Sequence, residues 1–218
     1  MPLNQNKPPI YLITSGATTI STTPASEDFR RVLQLVAAAV AAKVDLLQIR
    51  EKNLSDRTLY DLSARARNIT RGSVTRLLIN DRADIALAAE ADGVHLTAQS
   101  IPVQVIRKTF GPHFLIGVST HSDSEVFRAH EGGADFAVFG PVFETESKRG
   151  YGEPQGLDRL RDIAGNYPDF PILALGGITL ENALDCVRFG AKGIAAIRLL
   201  NDPQALGQIV ESLRTSLG

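Results

Sequence analysis

The chain has 218 residues, of which 44% are hydrophobic and 22% charged, with a formal net charge of -1. That balance is ordinary for a globular protein and carries no general attraction to nucleic acid or to an anionic membrane, so neither is expected as a partner. A single cysteine, Cys186, excludes an intramolecular disulfide and cannot by itself build a zinc site; it reads as helix packing.

Residues 1–8 are polar and proline-rich without an apolar stretch, and are expected as a flexible tail before one domain over 9–218. Short apolar runs then alternate with amphipathic stretches, the pattern of repeated βα units. Strands are expected over 10–14, 44–49, 76–80, 93–96, 114–119, 135–139, 171–175 and 193–197. Helices are expected over 27–42, 56–69, 83–89, 102–109, 123–131, 157–164, 180–189 and 203–217. Ser26 and Ser55 are suited to cap the first two helices, each followed by acidic residues at the positive helix end. Pro102 and Pro203 suit first-turn positions, and Gly190 suits a helix stop. The units show no obvious mutual similarity. The most apolar stretch, 32–44, is too short to span a bilayer, which makes cytoplasmic residence the expectation.

Eight βα units in an α/β chain of this length, with no Gly-x-Gly-x-x-Gly turn after the first strand, point to a single-domain (β/α)8 TIM barrel rather than a doubly wound sheet. Chemistry in such a barrel sits on the loops that follow the strands. The second strand ends in Gln48, Ile49, Arg50, Glu51 and Lys52, and alternation sends Gln48, Arg50 and Lys52 to one side. These are either phosphate ligands or a solvated strand end with Glu51 neutralising its neighbours. The third ends in Asn80 and Asp81, the carboxylate being suited to a phosphate-bound Mg²⁺ or else to a helix cap. The fifth brings Ser119, Thr120 and His121 to the same rim. Thr145, Ser147 and Lys148 lie in the longest polar loop and suit phosphate oxygens, or form a solvated loop. Gly176 and Gly177 after the seventh strand, with Ile197 and Arg198 after the eighth, form a plausible phosphate cup; tight helix packing is the alternative for the glycines.

The segments QIREK (48–52), IND (79–81), DGVHL (92–96), IGVSTH (116–121), GADFAVFGPVFETESK (133–148), ALGGI (174–178) and GAKGIAAI (190–197), in that order, resemble the thiamine phosphate synthase family and its close relative, the TenI-type thiazole tautomerase. The resemblance covers nearly the whole chain. It implies an enzyme of thiamine biosynthesis, a diphosphorylase joining hydroxymethylpyrimidine diphosphate to hydroxyethylthiazole phosphate with release of diphosphate. It also implies an ionising route, with diphosphate leaving first and the thiazole nitrogen capturing the pyrimidine cation.

Carried over by position, Arg50, Lys52, Asn80 and Lys148 would contact the diphosphate, and Asp81 would hold Mg²⁺. Ser119 would lie near the pyrimidine and diphosphate, with Gln48 facing the pyrimidine. Thr145, Ser147, Gly177 and the backbone around Ile197 would meet the thiazole phosphate. Three departures stand out. Ser100 occupies the place of an expected second metal carboxylate, Arg198 stands where a serine is usual, and the loop reads Lys148-Arg149-Gly150, closer to the tautomerase form. A tautomerase would need only the thiazole phosphate cup and a proton-shuttling group such as His121. The synthase is the first expectation, with the tautomerase and a non-catalytic thiazole phosphate binder as alternatives. The expected partners are small phosphorylated substrates, with a homo-oligomer possible.

Overall fold

The computed structural model of the protein describes residues 7–145 and 153–218. The strands are β1 (Ile10–Ile13), β2 (Leu46–Ile49), β3 (Arg76–Asn80), β4 (Gly93–Leu96), β5 (Leu115–Thr120), β6 (Phe136–Phe139), β7 (Ile172–Leu175) and β8 (Gly193–Ala196). They pair in parallel in chain order, and β8 returns to β1 to close the barrel. Between and after them run α1 (Glu27–Ala41), α2 (Asp56–Thr70), α3 (Ala83–Ala88), α4 (Val103–Phe110), α5 (Asp123–Glu131), α6 (Gly156–Asn166), α7 (Ala183–Arg188) and α8 (Leu206–Leu217). Among the described residues no helix is long and apolar enough to cross a membrane.

The strands are apolar almost throughout because both faces are covered. Alternate residues divide between two cores. Tyr11, Ile13, Leu46, Leu78, Leu115, Phe136, Val138, Leu173 and Ala195 fill the barrel interior. Their neighbours, among them Leu12, Leu47, Ile79, Val94, Ile116, Ala137 and Ile194, pack outward with the buried helix faces. Cys186 is part of that outer layer on α7, and burial pushes its thiol up to about 12, so it acts as a packing residue.

Strand entrances carry a device that sequence comparison of whole units does not reveal. Asp45, Asp92 and Asp135 each stand just before an even-numbered strand and accept a backbone N–H of the preceding strand, from Ile10, Leu77 and Ile116 at 2.7, 2.8 and 2.7 Å. Each carboxylate also pairs with an arginine, namely Arg214, Arg76 and Arg107. Charge-assisted bonds of this kind contribute about 1.5–3 kcal/mol. They lie at the amino ends of the strands, where barrels place stability, and leave the opposite rim to chemistry.

Element ends differ from the sequence expectation where side chains intervene. Ser55 caps α2 by accepting the Thr58 N–H at 3.2 Å, but the Ser26 hydroxyl accepts the Thr23 N–H instead of a helical one. Pro102 occupies the cap of α4 rather than its first turn. α7 begins at Ala183, because the Asn182 side-chain Oδ1 takes the Thr179 N–H at 2.8 Å and closes a turn before the helix. Gly190 follows α7 at φ +98, as a helix stop requires. Residues 1–6 of the expected tail lie outside the described residues; Pro8 is tied down, its carbonyl accepting from Arg214 at 2.8 Å.

Candidate active site

The end of β2 splits its polar residues by role. Gln48 points into the barrel and is 1% exposed, Arg50 is half-buried and Lys52 exposed. Glu51 does not neutralise those cations. It turns away from them and is buried, accepting from Gly16 N at 3.2 Å, Thr18 N at 3.1 Å and Thr18 Oγ1 at 2.7 Å. It thereby holds down the loop after β1. Thr14 Oγ1 accepts the Arg50 N–H at 2.8 Å, and a side chain on Gly16 would reach within 3.6 Å of the Arg50 guanidinium. The two loops together seat Arg50 above the barrel, with its charge available to an anion at the mouth.

Asn80 ends β3 half-buried, and its Oδ1 accepts from Gln48 Nε2 at 2.9 Å, which turns the remaining amide hydrogens toward the mouth. Asp81 follows, exposed, at φ +62. The left-handed region is rare for non-glycine residues and is tolerated best by Asp and Asn. Its backbone N–H is held by the His95 carbonyl at 2.8 Å, fixing the turn that presents the carboxylate. Ser100 is committed elsewhere: its hydroxyl accepts the Thr97 N–H at 2.7 Å and lies 3.1 Å from Thr97 Oγ1. Among the described residues no group of three His, Cys, Asp or Glu could cage a metal.

At the end of β5, Ser119 lies 2.9 Å from His95 Nε2. His121 is exposed, and its Nδ1 meets the Gly140 carbonyl, so Nδ1 carries hydrogen and Nε2 is left as the basic nitrogen.

The far side of the mouth is built by backbone. Gly176 and Gly177 have φ of +99 and +65. A Cβ on Gly176 would sit 2.5 Å from Pro141, and one on Gly177 would sit 2.6 Å from the Glu144 carbonyl oxygen. The tight packing is therefore against the segment after β6, not against a helix. Val142 N and Phe143 N donate to Leu175 O and Gly176 O at 2.8 and 3.0 Å, and Asn182 binds the Gly177 carbonyl at 2.9 Å. The N–H groups of Gly177 and Ile178 take no partner among the described residues, which suits them to an anion. Arg198 Nη2 donates to Thr145 Oγ1 at 3.3 Å, joining the rim after β8 to that after β6. Beneath them Asn201 ties the ends of β8 and β1, binding the Ile197 and Ile13 carbonyls at 2.6 and 2.7 Å. Ser147 and Lys148 lie outside the described residues.

Sequence reasoning passed over Tyr11, His95 and Asn201, and read Glu51 only as a partner of its neighbouring cations. Only His95, inside the DGVHL segment, carried a usable signal: a histidine alternating with Val94 and Leu96, which pack outward, so that its own side chain faces the barrel interior.

The family model described as thiamine monophosphate synthase matches residues 18–200. The thiamine-phosphate synthase of Moorella thermoacetica is 40% identical over 168 residues, covering 77% of this chain and 80% of the relative. That of Chloroflexus aurantiacus is 40% identical over 163 residues, covering 75% and 74%. Among solved structures, thiamine phosphate pyrophosphorylase from Pyrococcus furiosus superposes with a TM-score of 0.80 at 29% identity, covering 98% of this chain and 96% of that one. With the family model spanning most of the barrel and such relatives aligning across three quarters of the chain, the protein belongs to the thiamine monophosphate synthase family.

Proposed function

We propose that this chain is a thiamine-phosphate synthase that joins hydroxymethylpyrimidine diphosphate to hydroxyethylthiazole phosphate. The observation that carries the reading is a mouth with two anion-suited sides: Arg50 and Asn80 at the ends of β2 and β3, and the open backbone N–H groups of Gly177 and Ile178 across from them. A reaction between two phosphorylated partners needs both sides, and family membership supplies the chemistry.

In this reading Arg50, Lys52, Asn80 and Lys148 hold the diphosphate, while Thr145, Ser147, Gly177, Arg198 and the backbone at Ile197 hold the thiazole phosphate. The bond from the pyrimidinylmethyl carbon to the diphosphate oxygen breaks, and its electron pair leaves with the diphosphate. The thiazole nitrogen lone pair then forms the new C–N bond. The protein contributes by aligning the two rings and by gathering cations where leaving-group charge develops. Mg²⁺ fits as an ion carried on the diphosphate, since one carboxylate plus substrate phosphate is a common way to hold it. Asp81 would be its protein ligand, because the Ser100 hydroxyl is engaged with Thr97. The ion would offset the charge of the departing diphosphate.

Incubating the protein with both substrates and Mg²⁺ should yield thiamine phosphate. Silence in an assay where a known synthase turns over would overturn the reading. The second reading, a thiazole tautomerase, is favoured by His121, whose Nδ1 contact with Gly140 leaves Nε2 free as a base. It fails if carboxythiazole phosphate aromatises no faster with the protein than without it.

A further inference from the structure

Five side chains from β1 to β5 form a continuous hydrogen-bonded chain across the barrel. Tyr11 OH donates to Gln48 Oε1 at 3.2 Å, and Gln48 Nε2 donates to Asn80 Oδ1 at 2.9 Å. Tyr11 OH also lies 3.0 Å from His95 Nδ1, and His95 Nε2 lies 2.9 Å from Ser119 Oγ. Tyr11, Gln48 and His95 are at most 2% exposed, so no bulk water can reverse a bond locally.

With the Gln48 amide oxygen facing Tyr11 and its nitrogen facing Asn80, counting protons fixes the direction of the rest of the chain. Tyrosine has one hydroxyl hydrogen, and an amide oxygen cannot donate, so that hydrogen goes to Gln48. The bond between Tyr11 and His95 must then use the histidine's Nδ1–H. In a neutral ring Nε2 is left as a lone pair, and Ser119 has to donate to it. Burial, assisted by the positive charge of Arg50, pushes the His95 pKa down to about 3, so the ring is neutral at physiological pH.

We infer that Tyr11 and His95 are positioning residues that lock this chain in one direction, so that Ser119 presents only lone pairs to the mouth and Asn80 only N–H groups. The two ends thereby become chemically opposite. Asn80 suits an anionic oxygen, and Ser119 suits an N–H of the bound ring while being unable to donate to a phosphate. Reversal of the chain would turn the Asn80 carbonyl toward the diphosphate and a hydroxyl hydrogen toward a ring amino group, mismatching both. Gly117 supports the arrangement from β5: a Cβ there would sit 2.4 Å from Phe136 Cζ and 2.8 Å from His95 Nδ1. Phe136 in turn holds the Tyr11 ring edge-on, with centroids 5.6 Å apart at 81°.

The assignment of chain direction stands on the ligand-free protein, while its use in catalysis rests on the synthase reading. Nitrogen NMR of the four imidazoles at pH 7 should find His95 protonated at Nδ1 and bare at Nε2, with no change down to pH 5.5. An Nε2–H tautomer, or titration in that range, would overturn the inference whether or not the protein turns over. Tyr11→Phe should release the direction and raise KM for hydroxymethylpyrimidine diphosphate about tenfold, the scale of one buried hydrogen bond, while leaving KM for thiazole phosphate unchanged. Equal losses for both substrates would mark Tyr11 as merely structural and overturn its positioning role. His95→Gln, which keeps an acceptor for Ser119, should retain more activity than His95→Leu; equal activities would count against the chain. If the unaltered protein makes no thiamine phosphate, the synthase reading falls while the NMR result still decides the direction.

Discussion

Gly177→Ala separates backbone conformation from close packing. At φ +65 an alanine costs roughly 1–2 kcal/mol for entering the left-handed region. Its Cβ would also stand 2.6 Å from the Glu144 carbonyl oxygen and 2.7 Å from Phe143 Cβ, both part of a segment pinned to β7 by the Val142 and Phe143 N–H bonds. Forced overpacking of that kind costs a further ~1–3 kcal/mol. Gly72→Ala is the control, because Gly72 has φ +76 with nothing within 4 Å of the added Cβ. Thermal unfolding of both variants should lower Tm by roughly 2–4 °C per kcal/mol in a chain of this size. Gly177→Ala should fall clearly further than Gly72→Ala, and it alone should weaken thiazole phosphate binding by calorimetry. Equal Tm losses, with thiazole phosphate binding intact, would refute the close-packed cup.

Acid should destabilise the fold through His95. Its folded pKa lies below the unfolded value near 6.5, so the neutral ring is no burden above that value and stability is lost as pH falls toward about 3. With Tyr11, Ser119 and Arg50 facing it, the loss should reach ~3 kcal/mol by pH 4.5, and urea titrations of His95→Gln should lack that component. Asp81→Asn should keep the turn, since Asn also tolerates the left-handed conformation, while moving the Mg²⁺ titration of activity upward by about tenfold or more. An unmoved titration would remove Asp81 from the metal. Lys148→Ala should reduce synthase turnover more than thiazole phosphate affinity; equal losses would remove Lys148 from the diphosphate.

The barrel was legible because its signals are local. Eight β-rich runs separated by amphipathic stretches dictate parallel units, and the observed strand starts differ from expectation by at most two residues, as at β2, where 44 becomes Leu46. There Val44 is held by α1, its N–H bonding Ala39 O, and cannot enter the ladder. Residues at strand ends, such as Arg50, Asn80, Ser119 and Gly177, were legible for the same reason: position along a strand determines which rim a residue reaches. What the sequence hid are relations across strands. Glu51 reads as a partner of Arg50 and Lys52 until the loop after β1 is seen to supply three donors from Gly16 and Thr18. Tyr11 and His95 are 84 residues apart, and their contact depends on barrel register and on the space that Gly117 leaves.

Product stoichiometry with both substrates and Mg²⁺ tests the central claim most directly. The account predicts thiamine phosphate and diphosphate in equal amounts when both substrates are present, and no thiamine phosphate when the thiazole phosphate is omitted. No thiamine phosphate from both substrates and Mg²⁺, where a known synthase is active, would contradict it.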